Sequence, residues 1–146
     1  YRESPMFWLR RAYLAARKAL DEGLHEHQLT GSQFEVLRQV LMEDGVEQRT
    51  LQERLRIASP TLTGLVDGLA ARGLVRREAA QEDGRVKRLV ATPAGRAIND
   101  SIGQKAAAVE EQLLSGFTPA ERLLLREWLQ RMAQNLGAAP DEACAP

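Results

Sequence analysis

The hydrophobic period of this chain changes once and then changes back. Up to Gly73, apolar residues recur at spacings of three and four, the mark of helices packed on one face. From Leu74 to Ala79, and again from Lys87 to Thr92, the pattern is that of two short strands, with Asp83-Gly84 as the turn signal between them. After Thr92 helical spacing returns and runs to Leu136. The order is helix, helix, short helix, helix, strand, strand, helix, helix, with strands confined to one hairpin. That predicts a mainly α (α+β) fold with no internal repeat.

Local signals set the expected boundaries. The first helix should run from about Pro5 to Leu24, with Met6, Leu9, Tyr13, Ala16, Leu20 and Leu24 on one stripe and Phe7 and Leu14 on another. Two apolar stripes suit a central core helix or a helix at a subunit interface. Thr30 and Gln33 form a capping box with Leu29 and Phe34 as its hydrophobic staple; Ser32 with Glu35 competes. Phe34, Leu37 and Leu41 face the core of this second helix, which should end near Asp44-Gly45. A short third helix, 50–55, starts at Thr50, boxed by Glu53, with Leu51 and Leu55 inward. After a turn from Arg56 to Ser59, the fourth helix (59–72) takes Ser59 as N-cap and Pro60 as its first residue, where a missing N–H costs nothing. Its stripe is Leu62, Leu65, Val66 and Leu69, and Gly73 is the left-handed stop. Thr92-Pro93 opens a long helix to about Ser115, ended by Gly116. Thr118, Pro119 and Glu121 cap the last helix, whose apolar side is Leu125, Trp128, Leu129, Met132 and Leu136.

Charge is segregated although the net charge is zero. Residues 1–48 sum to −2 and residues 97–146 to −3, whereas residues 49–96 carry 10 Lys/Arg against 5 Asp/Glu, or +5. Only this local excess matters to a polyanion, because salt screens charges beyond about 8–10 Å. The alternative is that the arginines line a solvated face. Aromatics at 5% make stacking on single-stranded nucleic acid a poor expectation.

The basic island coincides with a helix–turn–helix and its hairpin. In that plan the second helix enters a DNA major groove. Helix 59–72 puts Leu62, Leu65, Val66 and Leu69 toward the core. Pro60, Gly64, Asp67 and Ala71 lie opposite, flanked by Thr61, Thr63 and Gly68. Small side chains allow close approach, and threonine hydroxyls and methyls can touch base edges. The hairpin carries Arg76, Arg77, Arg85, Lys87 and Arg88, which could follow the adjacent minor groove. The expected contact set is Gln33, Thr50, Ser59, Pro60, Thr61, Thr63, Gly64, Arg77, Asp83, Arg85 and Lys87, and the expected partner is double-stranded DNA. The competing reading, a protein–protein adaptor, has no need of arginines concentrated at 76–88.

The segments Leu51-Gln-Glu-Arg-Leu55, Leu65-Val-Asp-Gly-Leu69, Arg72-Gly-Leu-Val-Arg76, Asp83-Gly-Arg85 and Thr92-Pro-Ala-Gly95 resemble the MarR family of winged helix–turn–helix transcriptional regulators. The resemblance covers Leu29 to Arg96 by motif and the whole chain by element order. It implies a two-fold homodimer joined through the first and last two helices, with recognition helices about one DNA turn apart on a pseudo-palindrome. It implies a wing whose Arg85, held by Asp83, enters the minor groove. It also implies a repressor released by a small, often aromatic, anionic effector. Three places depart from the family pattern. Gln52 replaces a usual Ala, Gly64 and Gly68 stand where long basic or polar side chains are common, and Ala91 replaces a usual Leu. The two glycines leave base readout to Ser59, Thr61 and Thr63.

On this reading residues 1–28 belong to the dimerisation region, 29–96 are the DNA-binding domain, and 97–137 are C-terminal dimerisation helices. Residues 138–146 are expected to be a disordered tail. Trp8, Tyr13, Phe34 and Arg38 are candidates for an effector pocket suited to an aromatic carboxylate, or are core, interface and solvated residues. Oxidant-sensing relatives carry a reactive cysteine near the first helix; here Cys144, the one cysteine, lies in the tail beside Glu142 with no cation to activate it. His25 and His27 do not share a helix face with Glu22 and Glu26, so no metal is expected. No cofactor is expected, and no catalytic set or phosphate loop points to an enzyme. The lack of an apolar leader or spanning stretch, with a single cysteine, predicts a cytoplasmic protein that does not cross a membrane.

Overall fold

The computed structural model describes residues 1–137. Its elements are α1 (Pro5–Glu26), α2 (Gly31–Met42), β1 (Val46–Glu47), α3 (Gln48–Leu55), α4 (Ser59–Ala71), β2 (Val75–Ala79), β3 (Lys87–Ala91), α5 (Pro93–Leu113) and α6 (Pro119–Asn135). The chain forms two compact units, Tyr1–Val109 and the part from Glu110 onward. The expected tail and Cys144 lie outside the described residues.

The first unit is built on a small antiparallel sheet in the order β1-β3-β2. Strands β2 and β3 pair from Val75 opposite Ala91 to Ala79 opposite Lys87. The third strand, β1, corrects the expectation of a lone hairpin. It is two residues long, too short to show a period of two, and it forms because Val46 is buried directly across from buried Leu89. Two helix starts also differ from expectation, the first because of this pairing. Glu47 leads straight from the sheet into α3, so the helix begins at Gln48 and Thr50 falls in its first turn rather than at the cap. In α4 the cap position is Ala58, with no side-chain cap bond, so Ser59 is the first helical residue and Pro60 the second.

Four elements supply the fully buried leucines of this unit's core. Leu37 of α2, Leu51 of α3, Leu62 and Leu69 of α4 and Leu89 of β3 are all fully buried. Each such side chain contributes about 1.5–3 kcal/mol by leaving water. The buried face of α4 is therefore settled by Leu62, Val66 and Leu69, and its opposite face is left open. A knot of bonds ties the end of α4 to the hairpin and to α5. Gly73, at φ +68°, stops α4. Thr92 Oγ1 donates to the Gly73 carbonyl at 2.5 Å and accepts from the Gly95 N–H at 3.1 Å, while the Thr92 N–H bonds the Leu74 carbonyl at 3.1 Å. Arg72 adds a clamp, donating to the carbonyls of His27 at 2.6 Å and Gln28 at 2.9 Å.

In the second unit Thr118 and Glu121 form the expected capping box of α6. Arg122 bonds both carboxylate oxygens of Glu111, at 2.9 and 3.3 Å, and the Leu114 carbonyl at 3.1 Å. No residue of α6 is buried, and Leu123, Leu124 and Trp128 of that helix stand exposed. In the first unit α1 likewise exposes Met6, Trp8, Tyr13 and Leu14.

Candidate nucleic-acid interface

The outer face of α4 is presented without competition. Ser59, Pro60, Thr61, Gly64 and Asp67 are exposed, and Thr63 is half-buried on the flank nearest β2. A methyl placed on Gly64 would meet nothing within 4 Å, so the face there is open space. Gly68 is different. A methyl there would come within 3.0 Å of Gln33 Nε2, so its small size lets α2 and α4 pack. Gln33 itself is held by the capping box, its Oε1 accepting from the Thr30 N–H at 3.0 Å. Thr50 is exposed on α3.

Most cations of the basic island are already neutralised. Arg49 pairs with Glu53, Arg54 with Glu43, Arg76 with Glu78, Arg88 with Glu82 and Arg96 with Asp44. Arg72 is spent on backbone carbonyls. Arg77 points back onto α4, its Nη1 2.7 Å from Asp67 Oδ1, with its side chain only 29% exposed. Among the described residues, three cations of the island keep their charged ends without a protein partner: Arg56, Arg85 and Lys87. Arg85 and Lys87 were expected at the site; Arg56 was not. It sits at φ +52° in the turn between α3 and α4, and a left-handed non-glycine has no sequence signature.

The wing tip is shaped by Asp83. Its Oδ1 accepts from the Arg85 backbone N–H at 2.9 Å, and its carbonyl accepts from the Val86 N–H at 3.0 Å. The carboxylate thus fixes the loop backbone and leaves the Arg85 guanidinium free to reach outward.

A cavity of 390 Å³ opens between α1, α2 and α5 in the first unit, lined by Tyr13, Arg17, Leu24, Phe34, Ile102 and Lys105 among others. It brings together two of the four residues expected there, Tyr13 and Phe34. Trp8 lies outside its lining, with its indole N–H bonded to the Arg2 carbonyl at 2.8 Å. Arg38 is also outside, bonding both carboxylate oxygens of Glu35 at 3.1 and 3.2 Å. The cations at the cavity are instead Arg17 and Lys105. Arg17 donates to the Tyr13 hydroxyl at 3.2 Å; that bond, with the charges of Tyr13 and Asp21, raises its pKa above the ordinary arginine value. Sequence spacing missed them because the cavity forms only where α5 brings Lys105 to the side of α1 that carries Arg17, residues far apart in the chain.

Among the described residues no helix is long and apolar enough to cross a membrane, and no group of three or more His, Cys, Asp or Glu could hold a metal ion.

Comparison with known proteins agrees with this geometry. The MarR family model matches residues 27–86. The HTH-type transcriptional regulator MhqR of Bacillus subtilis (strain 168) is 26% identical over 127 residues, 87% of this chain and 88% of that protein. The structure of BpsR from Bordetella bronchiseptica, described with the regulation of its DNA binding by 6-hydroxynicotinic acid, superposes with a TM-score of 0.65 at 26% identity, covering 91% of this chain and 95% of that one. A point mutant of MepR from S. aureus, bound to an oligodeoxyribonucleotide, shares the fold with a TM-score of 0.75 at 21% identity, over 91% and 98% of the two chains. A three-stranded sheet beside a helix–turn–helix, the family model over residues 27–86 and relatives at 26% identity over most of the chain make it similar to the MarR family of DNA-binding, winged-helix transcriptional regulators.

Proposed function

We propose that the chain acts as a homodimer that binds a pseudo-palindromic duplex sequence-specifically and represses transcription until a small anionic effector releases it. The observation that carries this reading is the pairing of an open α4 face with cations that no protein group neutralises. Arg85 and Lys87 on the wing and Arg56 in the turn suit the phosphate backbone or a narrow minor groove. Ser59, Thr61 and Thr63 supply short polar groups for base edges, with Gly64 allowing close approach. Gln33 and Thr50 stand at the edge of the same surface as backbone contacts. Second copies of the exposed apolar faces of α1 and α6 are the partners proposed for those faces.

The effector site proposed is the cavity holding Tyr13, Phe34, Arg17 and Lys105, where an aromatic ring and a carboxylate would each find complementary groups. BpsR, whose DNA binding is regulated by 6-hydroxynicotinic acid, is a precedent for an aromatic acid in this role. A thermal-shift screen of aromatic carboxylates should find compounds that raise the melting temperature with concentration, an effect lost in Lys105→Met. A flat screen would remove the cavity from the mechanism.

Binding is tested by titrating salt against duplex DNA. Affinity should fall steeply, with a log–log slope of about −0.9 per phosphate contacted. Arg85→Ala should weaken binding by about 1–3 kcal/mol with melting unchanged. A flat salt response with the folded chain would point to a protein-binding role instead.

A further inference from the structure

Four side chains from three elements form one hydrogen-bonded series beside the outer face of α4. Arg77 on β2 donates from Nε to Gln48 Oε1 at 3.3 Å and from Nη2 to the Thr63 carbonyl at 3.5 Å, and its Nη1 contacts Asp67. Gln48, the first residue of α3, donates from Nε2 to Thr63 Oγ1 at 3.2 Å. Chemistry fixes the direction of each bond. A guanidinium has only donors, so the Gln48 carbonyl oxygen must face Arg77 and its amide NH₂ must face Thr63. The Thr63 hydroxyl therefore accepts from within the protein, and its own hydrogen is left over. Among the described residues that hydrogen has no acceptor; in particular, Thr63 makes no bond back to the carbonyl four residues earlier, the usual outlet for a helical threonine.

We propose that Arg77, acting through Gln48, holds Thr63 as a hydrogen-bond donor toward the duplex, so that Thr63 selects a base edge carrying an acceptor: purine N7 or O6, or thymine O4. Arg77 is then a positioning residue rather than a phosphate contact. Its charge is already spent on Asp67, and its place behind α4 sets the polarity of a neighbour. Cytosine offers only an amino donor in the major groove. Thr63 Oγ1 keeps one lone pair, but a hydroxyl that already accepts is polarised into a better donor and a poorer second acceptor, so Thr63 favours an acceptor edge over cytosine on the strand it meets. The inference rests on the duplex binding proposed above.

The test selects bound duplexes from a random-sequence library with the unaltered full chain and with Thr63→Ser, Thr63→Val, Gln48→Glu and Arg77→Met, each checked by thermal melting. The carboxylate of Gln48→Glu accepts from both neighbours, which turns the Thr63 hydroxyl inward without removing it. The unaltered chain and Thr63→Ser should select against cytosine at one position in each half-site. Thr63→Val and Gln48→Glu should admit it there, and should bind the originally selected duplex about fivefold more weakly. Arg77→Met should show the same relaxed position with an unchanged salt slope. The proposal is overturned if Thr63→Val or Gln48→Glu selects the same sequences as the unaltered chain. It is also overturned if Arg77→Met reduces the salt slope by about 0.9, the signature of a lost phosphate contact. Failure of the unaltered chain to enrich any duplex is a separate result, and it removes DNA binding itself.

Discussion

Gly64 and Gly68 lie one turn apart on α4 and answer to different neighbours. A side chain at 68 would press on Gln33, whereas a side chain at 64 would enter open space. The fold therefore gains nothing from glycine at 64 and loses helix propensity there. Gly64→Ala should raise stability by about 0.8–1 kcal/mol in a melting experiment. Any loss of duplex affinity in the same variant then reports on the DNA side of the helix, because nothing on the protein side is touched. Gly95 is the opposite case. A methyl there would collide with the Leu74 carbonyl oxygen, which is backbone and cannot rotate away. Gly95→Ala should lower stability by about 1–3 kcal/mol or more. A variant that melts like the parent would show that the start of α5 is not pressed against the hairpin.

The helix caps are where pH enters. Glu121 accepts from the Thr118 backbone N–H at 2.7 Å and from its hydroxyl at 3.0 Å, and these bonds hold its carboxyl below the usual glutamate range. Bonds from Arg122 do the same for Glu111. A depressed carboxylate stabilises the folded state above its unfolded pKa and loses that effect as pH falls through the folded value. Melting temperature should thus be level above about pH 5 and decline below the ordinary glutamate value of 4.5. Glu121→Gln should flatten part of the decline; an identical profile would exclude the cap from it. These same caps show what a sequence can reveal. Thr30 with Gln33 and Thr118 with Glu121 are local pairs, readable from spacing and present in the fold. Thr50 with Glu53 has the same spacing and caps nothing, because the pairing of Val46 with Leu89, 43 positions away, starts α3 two residues sooner. The site divides along the same line. The residue types and their charge were legible, but the spending of Arg77 on α4 depends on contacts between distant elements, and the place of Arg56 depends on its left-handed turn conformation.

For the whole molecule, the exposed side of α6 offers a clear test. Trp128 is 51% exposed in a single chain, so a charge there costs little if that face meets water. If a second copy covers it, Trp128→Asp places a carboxylate in apolar surface and splits the assembly. Sedimentation should show dimers for the parent and monomers or aggregates for the variant. Dimers in both would move the interface elsewhere. The knot at Gly73, Thr92 and Gly95 bears on how an effector could act. The end of α4, the hairpin and the first turn of α5 share hydrogen bonds and one glycine-tight contact. Reader helix and wing are thereby welded into a single blade with α5 as its handle. In the proposed dimer, twisting the handle would swing the blade whole, so the expected lever of control there is the gap between two such blades, not the shape of either.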